Sequence, residues 1–229
     1  MSIMATLQIK DSHIKPMALT TSIIFACFAL ALLTPFKVQY QIAFPVGILF
    51  LASLWLTPWE ISLALLLSAA GDLAGSCGNL MAQIGSFAAA HIFYIVFFMR
   101  RFIRKGTKIT AKMKGFIMML GICIASLLVL IFTRVVPESP SGIIRVGTGI
   151  YAVIICFMLM TALLQRSLFY ALGALLFVIS DFTLAWTMFV EPVPYAELIL
   201  LSTYYAAQWL LFIRATPYRI AHPIHLLRF

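Results

Sequence analysis

The sequence predicts an all-α fold, a polytopic bundle of eight transmembrane helices with both termini in the cytoplasm. Of its 229 residues, 63% are hydrophobic and only 10% are charged. The mean hydropathy is +1.07, whereas the apolar share of a water-soluble domain is close to half. The apolar residues form continuous runs, which excludes the alternating pattern of a transmembrane β-barrel. Most runs approach the ~20 residues that a helix needs to cross a bilayer.

Eight apolar runs follow one another along the chain. They cover residues 17–34, 40–56, 59–74, 79–99, 114–133, 143–164, 168–190 and 196–213. Only Thr57 and Pro58 separate the second run from the third, so a count of seven spans is the alternative. We therefore expect a polar N-terminal tail over residues 1–15, a single transmembrane domain over 16–214 and a basic C-terminal tail over 215–229.

The basic residues indicate orientation rather than nucleic-acid binding. The formal net charge is +9, but the Lys and Arg residues lie in the breaks between apolar runs. With both termini inside, 13 of the 16 basic residues fall on the cytoplasmic side, and only Lys37, Arg134 and Arg145 fall outside. The basic loop after the fourth run is expected to contact the headgroups of membrane lipids. Basic loops on the cytosolic side fit a eukaryotic endomembrane as well as the inner (cytoplasmic) membrane of a bacterium, and the compact loops and tails favour the bacterial membrane.

Two aspartates inside apolar runs are the main functional signal. Asp72 lies in the stretch LLLSAAGDLAG, and Asp181 lies in ALGALLFVISDFTLAW. An ionisable group at such a position is costly, so its presence needs a reason. Each aspartate lies 13 residues beyond the start of its run, or ~20 Å from the inner boundary at the helical rise of 1.5 Å per residue. The two carboxyl groups can therefore face each other if spans three and seven are neighbours.

Two further runs carry polar stripes at helical spacing. The stripe on the fourth run consists of Asn79, Gln83, Phe87, His91 and Tyr94. The stripe on the eighth run consists of Glu197, Leu201, Tyr204 and Gln208, with Tyr205 beside it. Such groups avoid lipid tails, so these faces are expected to line a protein interior or a wet cavity. Helix packing through hydrogen bonds is the simpler interpretation of the same stripes, and the few histidines in the spans do not support a zinc site.

Several short motifs, taken in order, resemble one family. They are GDLAGS at 71–76, FAAAHIFYIVFF at 87–98, Arg145 with Tyr151, GALLFVISDFTLA at 173–185 and YYAAQWL at 204–210. This set resembles the YhhN family of membrane proteins, whose animal members are lysoplasmalogenases. The resemblance implies an eight-span enzyme that hydrolyses the vinyl-ether bond of the lysophospholipid lysoplasmalogen. The products would be a fatty aldehyde and glycerophosphoethanolamine or glycerophosphocholine, and the paired aspartates of the family correspond to Asp72 and Asp181.

Two carboxyl groups suit the hydrolysis of a vinyl ether. One protonates the outer alkene carbon to give an oxocarbenium ion, and the other stays ionised to stabilise the cation and activate water. Which aspartate takes which role stays open at this point. The candidate substrate-binding residues are Asn79, His91, Tyr94, Arg145, Tyr151, Tyr204, Tyr205 and Gln208. Arg145 would face the phosphate, and no metal or organic cofactor is expected.

A transporter is the main alternative to an enzyme. Paired intramembrane aspartates can bind a proton or a sodium ion and couple its movement to that of a small molecule or lipid. No predicted span is broken near its centre by Pro or by a pair of Gly residues, as a discontinuous transporter helix would be. The sequence therefore favours the enzyme.

Overall fold

The protein is a bundle of α-helices joined by short connections. The computed structural model describes residues 3–32, 40–106 and 110–221, and no strand occurs among them. The helices are α1 (Ile3–Ala31), α2 (Ala43–Leu56), α3 (Trp59–Ser76), α4 (Leu80–Arg104), α5 (Ala111–Leu130), α6 (Ile143–Leu163), α7 (Leu168–Phe189) and α8 (Ala196–Ala221). The predicted all-α class is confirmed, and each predicted apolar run coincides with one helix.

Six of these helices are long and apolar enough to cross a membrane. They are α1, through its segment Ile14–Ala31, α4, α5 with the turn that follows it, α6, α7 and α8. The shorter α2 has 14 residues, and α3 has 18 residues that include two acidic side chains, Glu60 and Asp72. The lengths and apolar surfaces of the helices identify an integral membrane protein.

The break between α2 and α3 has a local cause. Proline disfavours the helical conformation of the residue before it, and Thr57 is extended, with φ −125° and ψ 165°. Pro58 then caps α3 with φ −60° and ψ 152°. The second and third apolar runs are therefore two separate helices.

The predicted tails overlap the terminal helices. The helix α1 begins at Ile3, so most of the predicted N-terminal tail, residues 1–15, is helical. The helix α8 continues to Ala221, which places the first part of the predicted C-terminal tail, residues 215–229, in that helix. Residues 1–2 and 222–229 of the two tails lie outside the described residues.

Six helices form a closed ring around the interior. In sequence around the ring, α3 packs against α4, α4 against α6, α6 against α7, α7 against α8, α8 against α2, and α2 against α3. The helices α1 and α5 lie outside the ring, where α1 contacts α2 and α8 and α5 contacts α6. The two carboxyl groups are expected to face each other if spans three and seven are neighbours. Among the described residues, α3 and α7 do not pack on each other, and α8 contacts both.

The helices α7 and α8 approach each other closely at Gly173. A Cβ atom at this position would lie 2.8 Å from Leu211 Cδ2 and 3.4 Å from the carbonyl oxygen of Ala207. A small residue at a helix interface lets two backbones approach, which is a common basis of helix packing in membranes. This contact fixes α7, and with it Asp181, against α8.

Basic side chains gather at one end of the bundle. The guanidinium groups of Arg101 and Arg214 lie 5.4 and 5.5 Å from the ring centre of Tyr170. Partial burial, together with the charges of Arg101, Arg214 and Arg166, lowers the pKa of Lys105. We call this the basic end, and it is the end that the distribution of Lys and Arg predicts to face the cytoplasm.

Candidate active site

A cavity of about 450 Å³ lies within the ring, between α3, α4, α7 and α8. Asp72 of α3 and Asp181 of α7 both line it. Most of its remaining wall is apolar, and it includes Phe87, Leu184 and Leu200. The two helices that do not touch therefore bring both predicted aspartates to one cavity.

Asp72 is held by an aromatic hydroxyl from α8. Its exposed fraction is 6%, and Tyr204 Oη donates a hydrogen bond to its Oδ2 at 2.9 Å. The ring of Tyr204 is fixed by edge contacts with Phe87 and Phe177, at centroid distances of 5.9 and 5.8 Å. The helices α3 and α4 approach closely at Gly75. A Cβ atom at this position would lie only 2.6 Å from the side-chain amide nitrogen of Gln83.

Asp181 has two polar neighbours on other helices. Its side chain is 12% exposed, and the hydroxyl of Tyr151 on α6 donates a hydrogen bond to Oδ2. Nε2 of His91 on α4 lies 3.6 Å from the same oxygen. Nδ1 of His91 is 2.9 Å from the carbonyl oxygen of Phe87, one turn earlier on α4. His91 is fully buried, and its Nε2 has no hydrogen-bond partner among the described residues.

A second layer of polar groups lies behind the cavity wall. Tyr94 Oη donates to Gln208 Oε1 at 2.9 Å, and both side chains are fully buried. Tyr205 Oη donates to the carbonyl oxygen of Ile42 at 2.7 Å, which joins α8 to the start of α2. These three predicted residues are absent from the described lining of the cavity, so they support its wall rather than form its surface.

Two predicted substrate-binding residues lie elsewhere. Asn79 precedes α4 and caps it, because its Oδ1 accepts a hydrogen bond from the backbone N–H of Ala82 at 3.0 Å. Arg145 donates from Nη2 to the carbonyl oxygens of Pro137 and Ser139, at 2.8 Å each. These carbonyls belong to the connection that follows a π-helical turn, Ile131–Val135, at the end of α5. Neither residue is brought to the described lining of the cavity.

Two smaller cavities adjoin the main one. The first, of about 50 Å³, is almost entirely apolar and lies between α4, α6 and α7. It shares Asp181 with the main cavity, and Tyr151 also lines it. The second, of about 300 Å³, is more polar and includes Gln41, Ser76 and Glu197. Ser76 and Glu197 also line the main cavity, so an elongated amphipathic molecule has apolar space on one side and polar space on the other.

The α7 side of the cavity contains residues that the sequence analysis did not single out. Leu184 and Met188 line both the main and the apolar cavity, and Phe177 packs against the rings of His91 and Tyr204. Phe177 lies four residues before Asp181, Leu184 lies three residues after it, and Met188 lies seven residues after it. The helical period counted from the aspartate is therefore the signal that could have identified them.

The arrangement is suited to acid–base chemistry on an apolar molecule. It offers one buried and one largely buried carboxyl group, Asp72 and Asp181, with an aromatic hydroxyl bound to each and one imidazole beside Asp181. Among the residues that the structure describes, no three or more His, Cys, Asp or Glu side chains gather as metal ligands.

The fold and the cavity define a polytopic helical membrane protein with a pair of carboxyl groups at one interior cavity. The chain belongs to the YhhN family, whose model matches residues 21–215. The resemblance seen in the ordered motifs is thereby confirmed. No solved structure gives a significant match.

Several similar proteins are named lysoplasmalogenases. Lysoplasmalogenase TMEM86A of Homo sapiens is 31% identical over 175 residues, which cover 70% of this chain and 66% of the human one. Lysoplasmalogenase TMEM86B of Sus scrofa is 56% identical over 39 residues, or 17% of either chain. The human TMEM86B is 54% identical over 43 residues, or 19% of either chain. The matches to these two TMEM86B proteins thus span less than a fifth of the length of either relative.

Proposed function

We propose that this protein is a lysoplasmalogenase, an integral membrane hydrolase that cleaves the vinyl-ether bond of lysoplasmalogen. The products are a fatty aldehyde and glycerophosphoethanolamine or glycerophosphocholine. The observation that carries the proposal is the meeting of Asp72 and Asp181, from two helices that do not touch, at one largely apolar cavity. The names of the relatives supply the substrate.

The proposed topology has eight spans and both termini in the cytoplasm. The basic end then faces the cytoplasm, where Lys and Arg favour the inner side. Asp72 and Asp181 lie toward the other end of α3 and α7, in the outer half of the membrane. The proposed location is the inner membrane of a bacterium.

The three cavities accommodate the parts of one lysolipid. The apolar cavity beside Asp181 receives the first carbons of the alkenyl chain. The main cavity holds the vinyl ether and the glycerol. The polar cavity with Gln41, Ser76 and Glu197 receives the phosphate and headgroup. The rest of the chain extends into the bilayer, because a path between helices is favourable for a hydrocarbon tail.

The proposed reaction is acid–base hydrolysis through an oxocarbenium ion. A protonated carboxyl group gives its proton to the outer alkene carbon, and the positive charge that develops is shared between the inner carbon and the ether oxygen. The other aspartate, as a carboxylate, stabilises this charge and takes a proton from the attacking water. Burial in an apolar environment favours the neutral form of one carboxyl group, and repulsion between two nearby carboxylates favours a single charge on the pair.

The proposed supporting residues act through hydrogen bonds that the structure contains. Tyr204 and Tyr151 orient the two carboxyl groups. Tyr94, Gln208 and Tyr205 hold the wall behind them and position α8. Asn79 and Arg145 take no part in this proposal, since their polar groups bind backbone elsewhere.

Aldehyde release tests the proposal directly. Purified protein in detergent is incubated with lysoplasmenylethanolamine, and free aldehyde is measured with the wild type and with Asp72→Asn and Asp181→Asn. We expect release by the wild type and none by either variant, with both variants folded and extractable. Ion-dependent flux in liposomes without aldehyde release would instead establish the transporter alternative.

A further inference from the structure

The contacts of His91 distinguish the two aspartates. We propose that His91 and Asp181 together hold the proton that is given to the substrate, so that Asp181 is the acid and Asp72 the base. This inference rests on the proposed function and adds the order of proton transfers and a role for His91. His91 acts through Asp181 and is a positioning residue.

The first step of the argument is the tautomer of His91. Its Nδ1 is 2.9 Å from the carbonyl oxygen of Phe87, and a carbonyl oxygen can only accept a hydrogen bond. The contact therefore requires a proton on Nδ1. In a neutral imidazole, Nε2 is then left as a bare acceptor.

The second step is the surroundings of Nε2. This atom is buried, has no hydrogen-bond partner within the described part of the chain, and lies 3.6 Å from Asp181 Oδ2. A lone pair opposite an ionised carboxylate is unfavourable in a low-dielectric interior. The contact becomes favourable when one proton lies between the two groups, either as a carboxylic acid that donates to Nε2 or as an imidazolium that donates to Oδ2. The pair therefore carries one proton at rest.

Asp72 has no comparable neighbour. Each aspartate accepts a hydrogen bond from a tyrosine hydroxyl, Asp72 from Tyr204 and Asp181 from Tyr151, so the imidazole is the contact that distinguishes them. The other titratable groups around the cavity are Tyr151 on α6, Tyr94 on α4, and Tyr205 and Glu197 on α8. Arg145 on α6 is bound to backbone carbonyls, and Arg134, in the π-helical turn next to α7, is exposed. Imidazole is thus present on the Asp181 side alone among the described residues.

The cavities give an independent reason for the same assignment. The proton must reach the outer alkene carbon, which is the vinyl-ether carbon that carries the alkyl chain. Asp181 lines both the main cavity and the apolar cavity, whereas Asp72 lines only the main one. With the chain in the apolar cavity, the outer carbon lies beside Asp181, and the inner carbon lies toward Asp72.

The transfers close into a cycle. The proton of the Asp181–His91 pair forms the new C–H bond as the electrons of the C=C bond move to it, which leaves the oxocarbenium ion. Water adds to the inner carbon and gives a proton to Asp72. The resulting hemiacetal then gives its hydroxyl proton to Asp181, while Asp72 returns its proton to the glycerol oxygen as that C–O bond breaks. The pair is protonated again, Asp72 is ionised again, and aldehyde and alcohol are released.

The pH dependence of kcat/KM tests the role of His91. Activity requires the protonated Asp181–His91 pair, so kcat/KM falls as the pH rises through the pKa of that pair. Removal of the imidazole takes away one of the two groups that share the proton and lowers this pKa. The fall in kcat/KM at high pH is the basic limb of the pH profile. We expect His91→Phe to move this basic limb to lower pH by about one to two units, as for the loss of one strong hydrogen bond. His91→Gln offers an acceptor oxygen and should move it less. Tyr170→Phe, which removes a buried hydroxyl at the basic end, is the matched control and should leave the limb in place. An unmoved limb in His91→Phe would overturn the inference.

A second measurement does not depend on turnover. In protein labelled with ¹⁵N-histidine, the signal of His91 is identified by its loss in His91→Gln. We expect a protonated Nδ1 and an Nε2 signal that shifts in Asp181→Asn. A proton on Nε2 with a bare Nδ1 would contradict the inference even in an active enzyme. If the wild type releases no aldehyde but His91 shows the expected signals, the proposed function fails while the shared proton stands.

Discussion

Tyr204→Phe isolates the hydrogen bond that supports the proposed base. The variant loses one hydroxyl, whose oxygen lies 2.9 Å from Asp72 Oδ2, and keeps the ring in contact with Phe87, Phe177 and Tyr205. Tyr204 is 4% exposed and Asp72 6%, so water does not readily replace the lost donor. A hydrogen bond to a charged group contributes about 1.5–3 kcal/mol. If that stabilisation supports the carboxylate in the transition state, kcat/KM falls about tenfold to a hundredfold.

The assay is aldehyde release from lysoplasmenylethanolamine at saturating and at limiting concentrations. The loss should appear in kcat, because the ring that shapes the cavity is retained. Tyr170→Phe is again the control, since its hydroxyl donates to the carbonyl oxygen of Arg214 at 3.1 Å, far from the cavity. It should cost about 0.5–1.5 kcal/mol of stability and leave kcat unchanged. Wild-type kcat in Tyr204→Phe would refute the reasoning that this hydrogen bond maintains the ionised base.

Three further predictions concern stability and the roles of residues around the bundle. Gly173→Ala should lower the free energy of unfolding by about 1–3 kcal/mol through overpacking against Leu211, as measured by thermal unfolding in detergent. The control is Gly121→Ala, which has open space around its Cβ position and should be neutral or slightly stabilising in the same measurement. Glu60→Gln should cost about 1 kcal/mol, because the carboxylate is 7% exposed and lies 2.6 Å from the half-exposed guanidinium of Arg100; an unchanged melting temperature would show that the pair contributes nothing. Arg145→Gln should lower the melting temperature without raising KM, because its guanidinium binds the carbonyls of Pro137 and Ser139; a raised KM at unchanged stability would restore the phosphate-binding role predicted from the sequence.

The helices and the aspartate pair follow from short-range rules. Continuous apolar runs that end at charges and at Pro58 predict helices, and a carboxylate within such a run predicts a protected interior position. The matched distances of Asp72 and Asp181 from their helix starts depend only on the helical rise. These predictions needed no knowledge of which helices touch.

What the sequence could not specify are contacts between distant segments. The same spacing is compatible with several ring orders, and the packing of α8 between α3 and α7 arises from contacts such as Gly173 with Leu211. Asn79 has a local signal for helix capping, because an Asn just before a helix is a favoured N-cap. Arg145 had no such signal, since its carbonyl partners depend on the fold of the preceding connection.

The most direct test of the account follows the proton itself. When lysoplasmenylethanolamine is hydrolysed in deuterium oxide and the aldehyde is reduced at once to the alcohol, mass spectrometry shows where solvent hydrogen has been incorporated. Protonation of the outer alkene carbon predicts one deuterium on the carbon next to the former aldehyde carbon with the wild type, and no product with Asp72→Asn or Asp181→Asn. An aldehyde without deuterium at that carbon, or full activity in either aspartate variant, would contradict the two-aspartate mechanism.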